Sequence, residues 1–133
     1  MKKILLVVGS DNGLYEEEFK KQLKDTKLDY TVEPVYSTLF EGFVPNAIKA
    51  IGTDKDIAVI VVADWFWEVV EFIREYGLYR TVLVLGTSVS SRLVKAVNLR
   101  VDRWIIKGEY NAENECFRPS IDREVKEIID CLS

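Results

Sequence analysis

Apolar and polar positions follow two alternating periods along the chain. Short, nearly continuous apolar runs are followed by segments whose apolar residues recur every three or four positions, and this unit repeats five times. The runs predict strands over about 3–8, 30–36, 57–63, 81–85 and 103–107. The intervening segments predict helices over about 14–24, 44–51, 66–76, 93–97 and 120–132, with a loop over 108–118.

Alternating strands and helices predict a parallel sheet with right-handed crossovers and helices on both faces. The first, third and fourth strands are apolar on both faces, which is typical of interior strands. The second strand alternates and contains Pro34, a residue confined to sheet edges, and the fifth is short with charged ends. These features predict a single α/β domain over 1–133, a doubly wound five-stranded parallel sheet in the flavodoxin-like order 2-1-3-4-5.

Polar side chains cluster where these strands end. In such sheets, ligands bind at the carboxyl edge where the strand order reverses, here between strands 1 and 3. Asp11 lies in the loop after strand 1 and Asp64 directly follows strand 3, while Thr87, Ser88 and Lys107 follow strands 4 and 5. Two carboxylates, hydroxyls and an ammonium group are suited to holding a divalent cation and a phosphoryl group, with a carboxylate as covalent acceptor.

Two segments, 81–87 (TVLVLGT) and 101–107 (VDRWIIK), resemble the receiver domains of two-component response regulators, in which strand 4 ends in Thr or Ser and strand 5 in lysine. The resemblance implies a phosphoacceptor role for Asp64 and a Mg²⁺ site formed by Asp11 and Asp64. It further implies that Thr87 or Ser88 is the switch hydroxyl and that Lys107 contacts the phosphate. A receiver signals by binding a partner protein, typically through the face that corresponds here to 91–98, 103–107 and 120–132.

The chain departs from the receiver pattern at three places. Gly9 and Ser10 stand where the family has two adjacent acids, the loop after Asp64 is short, and Gly108 replaces a common proline. Such departures resemble atypical or pseudo-receiver domains, which commonly work as protein-interaction modules. The resemblance therefore implies a stand-alone, receiver-like signalling module, with phosphorylation of Asp64 as an additional feature.

Each candidate residue also has a structural interpretation. Asp64 is suited to capping a helix that begins at Phe66, and Asp11 to a turn beside Asn12-Gly13. A lysine at a strand end, such as Lys107, is more often a solvated charge. The glycine-containing loop 9–13 leaves open a second function, a flavodoxin-like protein that binds a flavin, nucleotide or other small molecule in the same crevice.

Three consecutive aromatic residues, Trp65, Phe66 and Trp67, cannot all face the core, because successive helical residues are about 100° apart. Phe66 fits the apolar stripe of its helix, whereas Trp67 shares a face with Glu71 and Arg74. We expect Trp67 to be exposed, as a contact for a partner or a flat ligand, or else to cover the rim of the core. Trp104 is expected to pack on the edge strand.

Composition restricts the remaining functions. The net charge is −4 with no basic run, which predicts no nucleic-acid binding, and the charged stretches 16–21 and 123–127 are expected to be solvated helix faces. No apolar run is long enough to span a membrane and no signal peptide is evident, so a cytoplasmic location is expected. The absence of histidine excludes Ser-His-Asp and Cys-His triads within this chain, and Cys116 and Cys131 are expected to be reduced thiols.

Overall fold

The predicted alternation of strands and helices is present in the computed structural model, which describes residues 2–9, 12–35, 43–63, 66–75, 81–86, 98–106, 109–111, 116–118 and 120–132. The elements are β1 (Lys2–Val7), α1 (Asn12–Leu23), β2 (Tyr30–Pro34), α2 (Phe43–Thr53), β3 (Ile57–Ala63), α3 (Trp67–Glu75), β4 (Thr81–Gly86), β5 (Arg103–Ile106), β6 (Glu109–Asn111), β7 (Cys116–Arg118) and α4 (Ile121–Leu132). The helix predicted over 93–97 lies outside the described residues.

Strands β1 to β5 form one parallel sheet in the order β2-β1-β3-β4-β5, which confirms the predicted order. Pro34 lies on the edge strand β2 opposite Leu6, and the amide of Val35 donates to the Leu6 carbonyl at 3.0 Å. Alternate residues of a parallel strand direct their backbone groups to opposite sides. Pro34 therefore faces the open edge, where its missing N–H group costs no ladder hydrogen bond.

The sheet separates two apolar cores because successive strand residues point to opposite faces. On one face, Leu5 and Val7 pack with residues of α2 and α3. On the other, Ile4 and Leu6 pack with α1, including Tyr15 and Phe19, and with α4. This two-sided burial explains why β1, β3 and β4 read as continuous apolar runs.

The segment after β5 differs from the prediction. We expected a loop over 108–118, but β6 and β7 pair as an antiparallel hairpin in which Tyr110 lies opposite Phe117. Three-residue strands are too short to produce a periodic signal, and only the aromatic residues favour extended backbone. The hairpin places added structure between β5 and α4, on the carboxyl side of the sheet.

The start of β1 is fastened to the turn before β3. Lys3 donates a side-chain hydrogen bond to Asp54 at 2.6 Å and lies 3.6 Å from the carboxylate of Glu33 on β2. The hydrogen bond to Asp54 is the main reason that the pKa of Lys3 is raised above its ordinary value of 10.5. These contacts fix the amino edge of the sheet, opposite the candidate site.

Across the described residues, no helix has the length and apolar character needed to cross a membrane.

Candidate functional site

The candidate site lies at the carboxyl edge of the sheet. Because β1, β3, β4 and β5 are parallel neighbours, their last residues, Val7, Ala63, Gly86 and Ile106, lie along this one edge. The predicted site residues follow these strand ends in the sequence, Asp64, Thr87 and Lys107 directly and Asp11 and Ser88 shortly after. Asp11, Asp64, Thr87, Ser88 and Lys107 all lie outside the described residues.

The chain segments after β1 and β3 approach each other at this edge. Gly9 has a φ of 87°, a left-handed conformation that favours glycine, and a methyl group placed on it would lie 3.9 Å from two ring carbons of Phe66. The amide of Phe66 donates to the carbonyl of Ala63 at 3.0 Å, so Phe66 lies next to the end of β3. The point where the strand order reverses is therefore bounded by Gly9 and the ring of Phe66.

The start of α3 bears on the structural interpretation of Asp64. The helix begins at Trp67, and Val69 donates its amide hydrogen to the carbonyl of Phe66 at 3.1 Å. Phe66 therefore occupies the N-cap position, and Asp64 precedes that position by two residues. Asp64 lies outside the described residues, so its role as a helix cap stays a prediction.

The start of α1 also differs from the prediction. Asn12 and Gly13 are helical rather than part of a tight turn, so the turn proposed beside Asp11 is wrong. Asp11 directly precedes the first helical residue, the sequence position at which aspartate commonly caps a helix. The amino terminus of α1, which carries partial positive charge, begins next to the end of β1.

Trp67 is buried, which corrects the expectation that it is exposed. Its side chain is 9% exposed and stacks on Trp104, with 6.3 Å between the ring centroids and 23° between the rings. The helical wheel placed it beside Glu71 and Arg74, but Trp67 opens α3 and is covered by a side chain from β5. Trp67 is therefore part of the core, and its predicted role as a partner contact is wrong. The expected packing of Trp104 is confirmed.

Space for this stack is made by Gly86. A methyl group at Gly86 would lie 2.3 Å from a ring carbon of Trp104, a distance that no real contact allows. Trp104 pairs with Val84, and Gly86 is the next residue of β4 on the same face. The indole therefore leans along the sheet over Gly86, toward the carboxyl edge.

The sequence analysis did not predict a buried polar pair on the face of the sheet covered by α1 and α4. Glu124 is completely buried although the stretch 123–127 was expected to be solvated, and its Oε1 accepts a 2.8 Å hydrogen bond from the hydroxyl of Tyr15, which is also fully buried. Glu124 lies three residues after Ile121 and four before Ile128, spacing that could have placed it on the apolar stripe. The pair joins the first turn of α1 to that of α4.

The described residues contain no cluster of three or more side chains of the metal-binding types. The candidate cation ligands therefore remain the two aspartates proposed from the sequence, Asp11 and Asp64. Two carboxylates fit Mg²⁺, which is usually held by one or two carboxylates together with water and phosphate oxygens.

Comparison of the whole chain with solved structures gives a consistent result. A CheY-like response regulator receiver domain from Methanospirillum hungatei JF-1 superposes with a TM-score of 0.62 at 18% identity, covering 98% of this chain and 94% of that one. The chain has the fold of a receiver domain. A signal receiver domain from Vibrio parahaemolyticus has a TM-score of 0.63 at 18% identity, covering 99% of this chain and 97% of that one. A phosphorylated cyanobacterial phytochrome response regulator has a TM-score of 0.63 at 20% identity, covering 97% of this chain and 91% of that one.

The sequence itself carries a weaker signal than the fold. No protein-family model matches the chain, and no curated protein matches its sequence. At 18–20% identity, the likeness to receiver domains establishes the architecture and leaves the chemistry of the site to be argued from the residues.

Proposed function

We propose that this chain is a receiver-like signalling module that is phosphorylated on Asp64 and acts by binding a partner protein. The observation that supports this best is the placement of the candidate residues at the ends of adjacent parallel strands in a receiver fold. Asp64 directly follows β3, and Lys107 directly follows β5.

The chemistry at Asp64 is a phosphoryl transfer. A carboxylate oxygen of Asp64 attacks the phosphorus of a phosphodonor such as acetyl phosphate, the bond from phosphorus to the acetyl oxygen breaks, and acetate leaves. The product is an acyl phosphate on Asp64. The ammonium group of Lys107 and the hydroxyl of Thr87 or Ser88 would stabilise the phosphoryl oxygens.

A divalent cation fits the same arrangement. Asp11 and Asp64 would hold Mg²⁺, which, when bound, offsets the negative charge of the phosphoryl group. The chain has one acid after β1 where receivers commonly have two, so we expect weak cation binding and slow phosphorylation compared with an ordinary receiver.

A partner surface is supported on the side of β5. Ile106, on this edge strand, is 49% exposed, one of the two large apolar residues exposed in the described part of the chain. Arg123 of α4 donates to the Ile106 carbonyl at 2.8 Å and to Glu127 at 2.8 Å, so a guanidinium group is held against the backbone of this edge strand. An exposed apolar side chain and an ordered arginine at the same sheet edge favour a protein contact, because arginine is enriched in such interfaces.

The alternative function, binding of a flat cofactor in the crevice, receives less support. The ring of Phe66 lies against Gly9, at the place where a flavin phosphate or ring would have to approach the first loop. A carboxylate at Asp11 would also repel a cofactor phosphate.

Phosphorylation of Asp64 is tested by incubating the purified protein with acetyl phosphate and Mg²⁺ and measuring its intact mass. We expect a gain of one phosphoryl group in the wild-type protein and none in Asp64→Asn, because the amide is not a nucleophile. Asp25→Asn, which changes an exposed carboxylate in the turn after α1, is the matched control and should be labelled like wild type.

An ordinary receiver treated in parallel shows that the labelling conditions work. Absence of any mass gain while that receiver is labelled would contradict the proposal, as would equal labelling of Asp64→Asn. A mass gain that survives in Asp64→Asn would place the phosphoryl group elsewhere on the chain.

A further inference from the structure

A groove of about 390 Å³ lies between the carboxyl-terminal half of α1 and the edge strand β2. Its lining includes Lys20, Leu23, Lys24, Leu28, Tyr30 and Val32. The floor is apolar, since Leu23, Leu28, Tyr30 and Val32 are all partly buried against the core under α1. The groove is at the amino edge of the sheet, away from the candidate phosphorylation site.

The wall between α1 and β2 is held in place by hydrogen bonds. The Thr26 hydroxyl donates to the Leu23 carbonyl at 2.9 Å and accepts from the Leu28 amide at 3.3 Å. The backbone amide of Thr26 also donates to Leu23 at 3.1 Å. The groove is therefore formed without a ligand, which lowers the ordering cost of binding.

The rim of the groove is cationic, although the chain as a whole is acidic. Lys20 pairs with Glu16 at 2.9 Å while its side chain stays 62% exposed, and Lys24 has no ion pair within the described ranges. A second groove of about 380 Å³ continues past Tyr30 and adds Lys2 and Lys27 against a single acid, Asp29. Four ammonium groups line these two adjoining grooves and favour an anionic occupant.

The open edge of β2 supplies backbone hydrogen-bonding groups beside the first groove. Because Val35 directs its amide toward β1, alternation directs the backbone groups of Tyr30 and Val32 to the open side. Edge groups of this kind are a template for an added strand. Their position beside the lysines restricts the occupant to an extended chain with negative side chains.

We propose that this α1–β2 groove is a docking site for an extended acidic segment of a partner protein. The segment pairs with β2 as a sixth strand, places apolar side chains over Leu23 and Val32, and places carboxylates against Lys20 and Lys24. The net charge of −4 disfavours a long polyanion such as nucleic acid, which would meet repulsion beyond this patch. The site goes beyond the proposed function, because it needs neither Asp64 nor a phosphoryl group.

The test uses a fluorescein-labelled peptide, titrated with the full chain and followed by fluorescence anisotropy. In this peptide valine and glutamate take turns at every second position, with threonine between them, so that both side chains face α1 when the peptide pairs with β2. We expect saturable binding that weakens about tenfold in Lys20→Gln/Lys24→Gln, the loss expected from two exposed charge pairs. The control Lys21→Gln/Lys49→Gln removes two exposed lysines outside the groove and should bind like wild type. In hydrogen exchange, the peptide should slow the amides of Tyr30 and Val32.

Several outcomes would overturn this proposal. They are no binding of the peptide by the folded protein, equal weakening by both double variants, or slowed exchange on another surface. Equal binding of a peptide with lysine in place of glutamate, or of a single-stranded oligonucleotide, would show that the groove does not select an acidic peptide. None of these outcomes bears on labelling of Asp64, so the two proposals fail separately.

Discussion

At the scale of single residues, the contact between Gly86 and Trp104 determines the shape of the core near the candidate site. Trp104 can lie over β4 only because Gly86 has no side chain, and Trp67 is buried because it stacks on that indole. A buried aromatic stack of this kind contributes about 0.5–1.5 kcal/mol beyond its area of contact.

Gly86→Ala tests this arrangement. The added methyl group would lie 2.3 Å from Trp104, so we expect the free energy of unfolding to fall by about 1–3 kcal/mol and the near-ultraviolet circular dichroism of the stack to decrease. Gly52→Ala is the matched control, because Gly52 lies in α2 with nothing within 4 Å, and it should raise stability by about 0.5–1 kcal/mol. Equal stability of Gly86→Ala and wild type would contradict the packing described.

The sequence indicated some of these residue environments and not others. Pro34 identified β2 as an edge strand, because a residue without an N–H group cannot donate to a neighbouring strand on both sides of the sheet. The burial of Trp67 could not be predicted from the helical period of α3, since it depends on a glycine and a tryptophan on two other strands. Glu124 illustrates the opposite case, in which the apolar spacing was present but its charge suggested exposure.

At the scale of elements, the turn that leads into β5 is fastened to the end of α3. Arg74 donates to the carbonyls of Leu99 at 2.7 Å and Arg100 at 2.5 Å, and its guanidinium lies 3.8 Å from Asp102. Asp102 in turn accepts the amide of Val82 on β4 at 2.7 Å. This chain of contacts positions β5, the strand that Lys107 follows.

Arg100 is the one residue other than glycine with positive φ in the described part of the chain, at 54°. Arg100→Gly should raise the free energy of unfolding by about 0.5–1 kcal/mol, because glycine adopts this conformation without a Cβ clash and its carbonyl still accepts from Arg74. Arg103→Gly, three residues later in the extended β5, should lower stability by a similar amount. Urea unfolding measures both, and a destabilised Arg100→Gly variant would contradict this account.

The boundaries of elements were the least predictable part of the fold. The strands were indicated by uninterrupted apolar runs, and β3 matches its prediction residue for residue. The starts of α1 and α3 were not indicated by the sequence pattern, since the apolar stripe of a helix does not mark its first turn. Those two boundaries matter most here, because Asp11 and Asp64 lie within three residues of them in the sequence.

At the scale of the whole molecule, the strand order and the parallel register bring the residues that follow β1, β3, β4 and β5 to one edge. The order was predictable because burial on both faces separates interior from edge strands. Function was less predictable, because one fold supports many activities and the site differs from ordinary receivers at its acidic pair. The proposal that depends on this edge is that Asp64 accepts a phosphoryl group.

The most direct measurement of that claim is the backbone amide NMR spectrum with Mg²⁺ and beryllofluoride, which mimics a phosphoryl group on a carboxylate. We expect shifts concentrated at residues next to the ends of β1, β3, β4 and β5, including Gly9 and Phe66, and no shifts in Asp64→Asn. An unchanged wild-type spectrum, or the same shifts in Asp64→Asn, would contradict it.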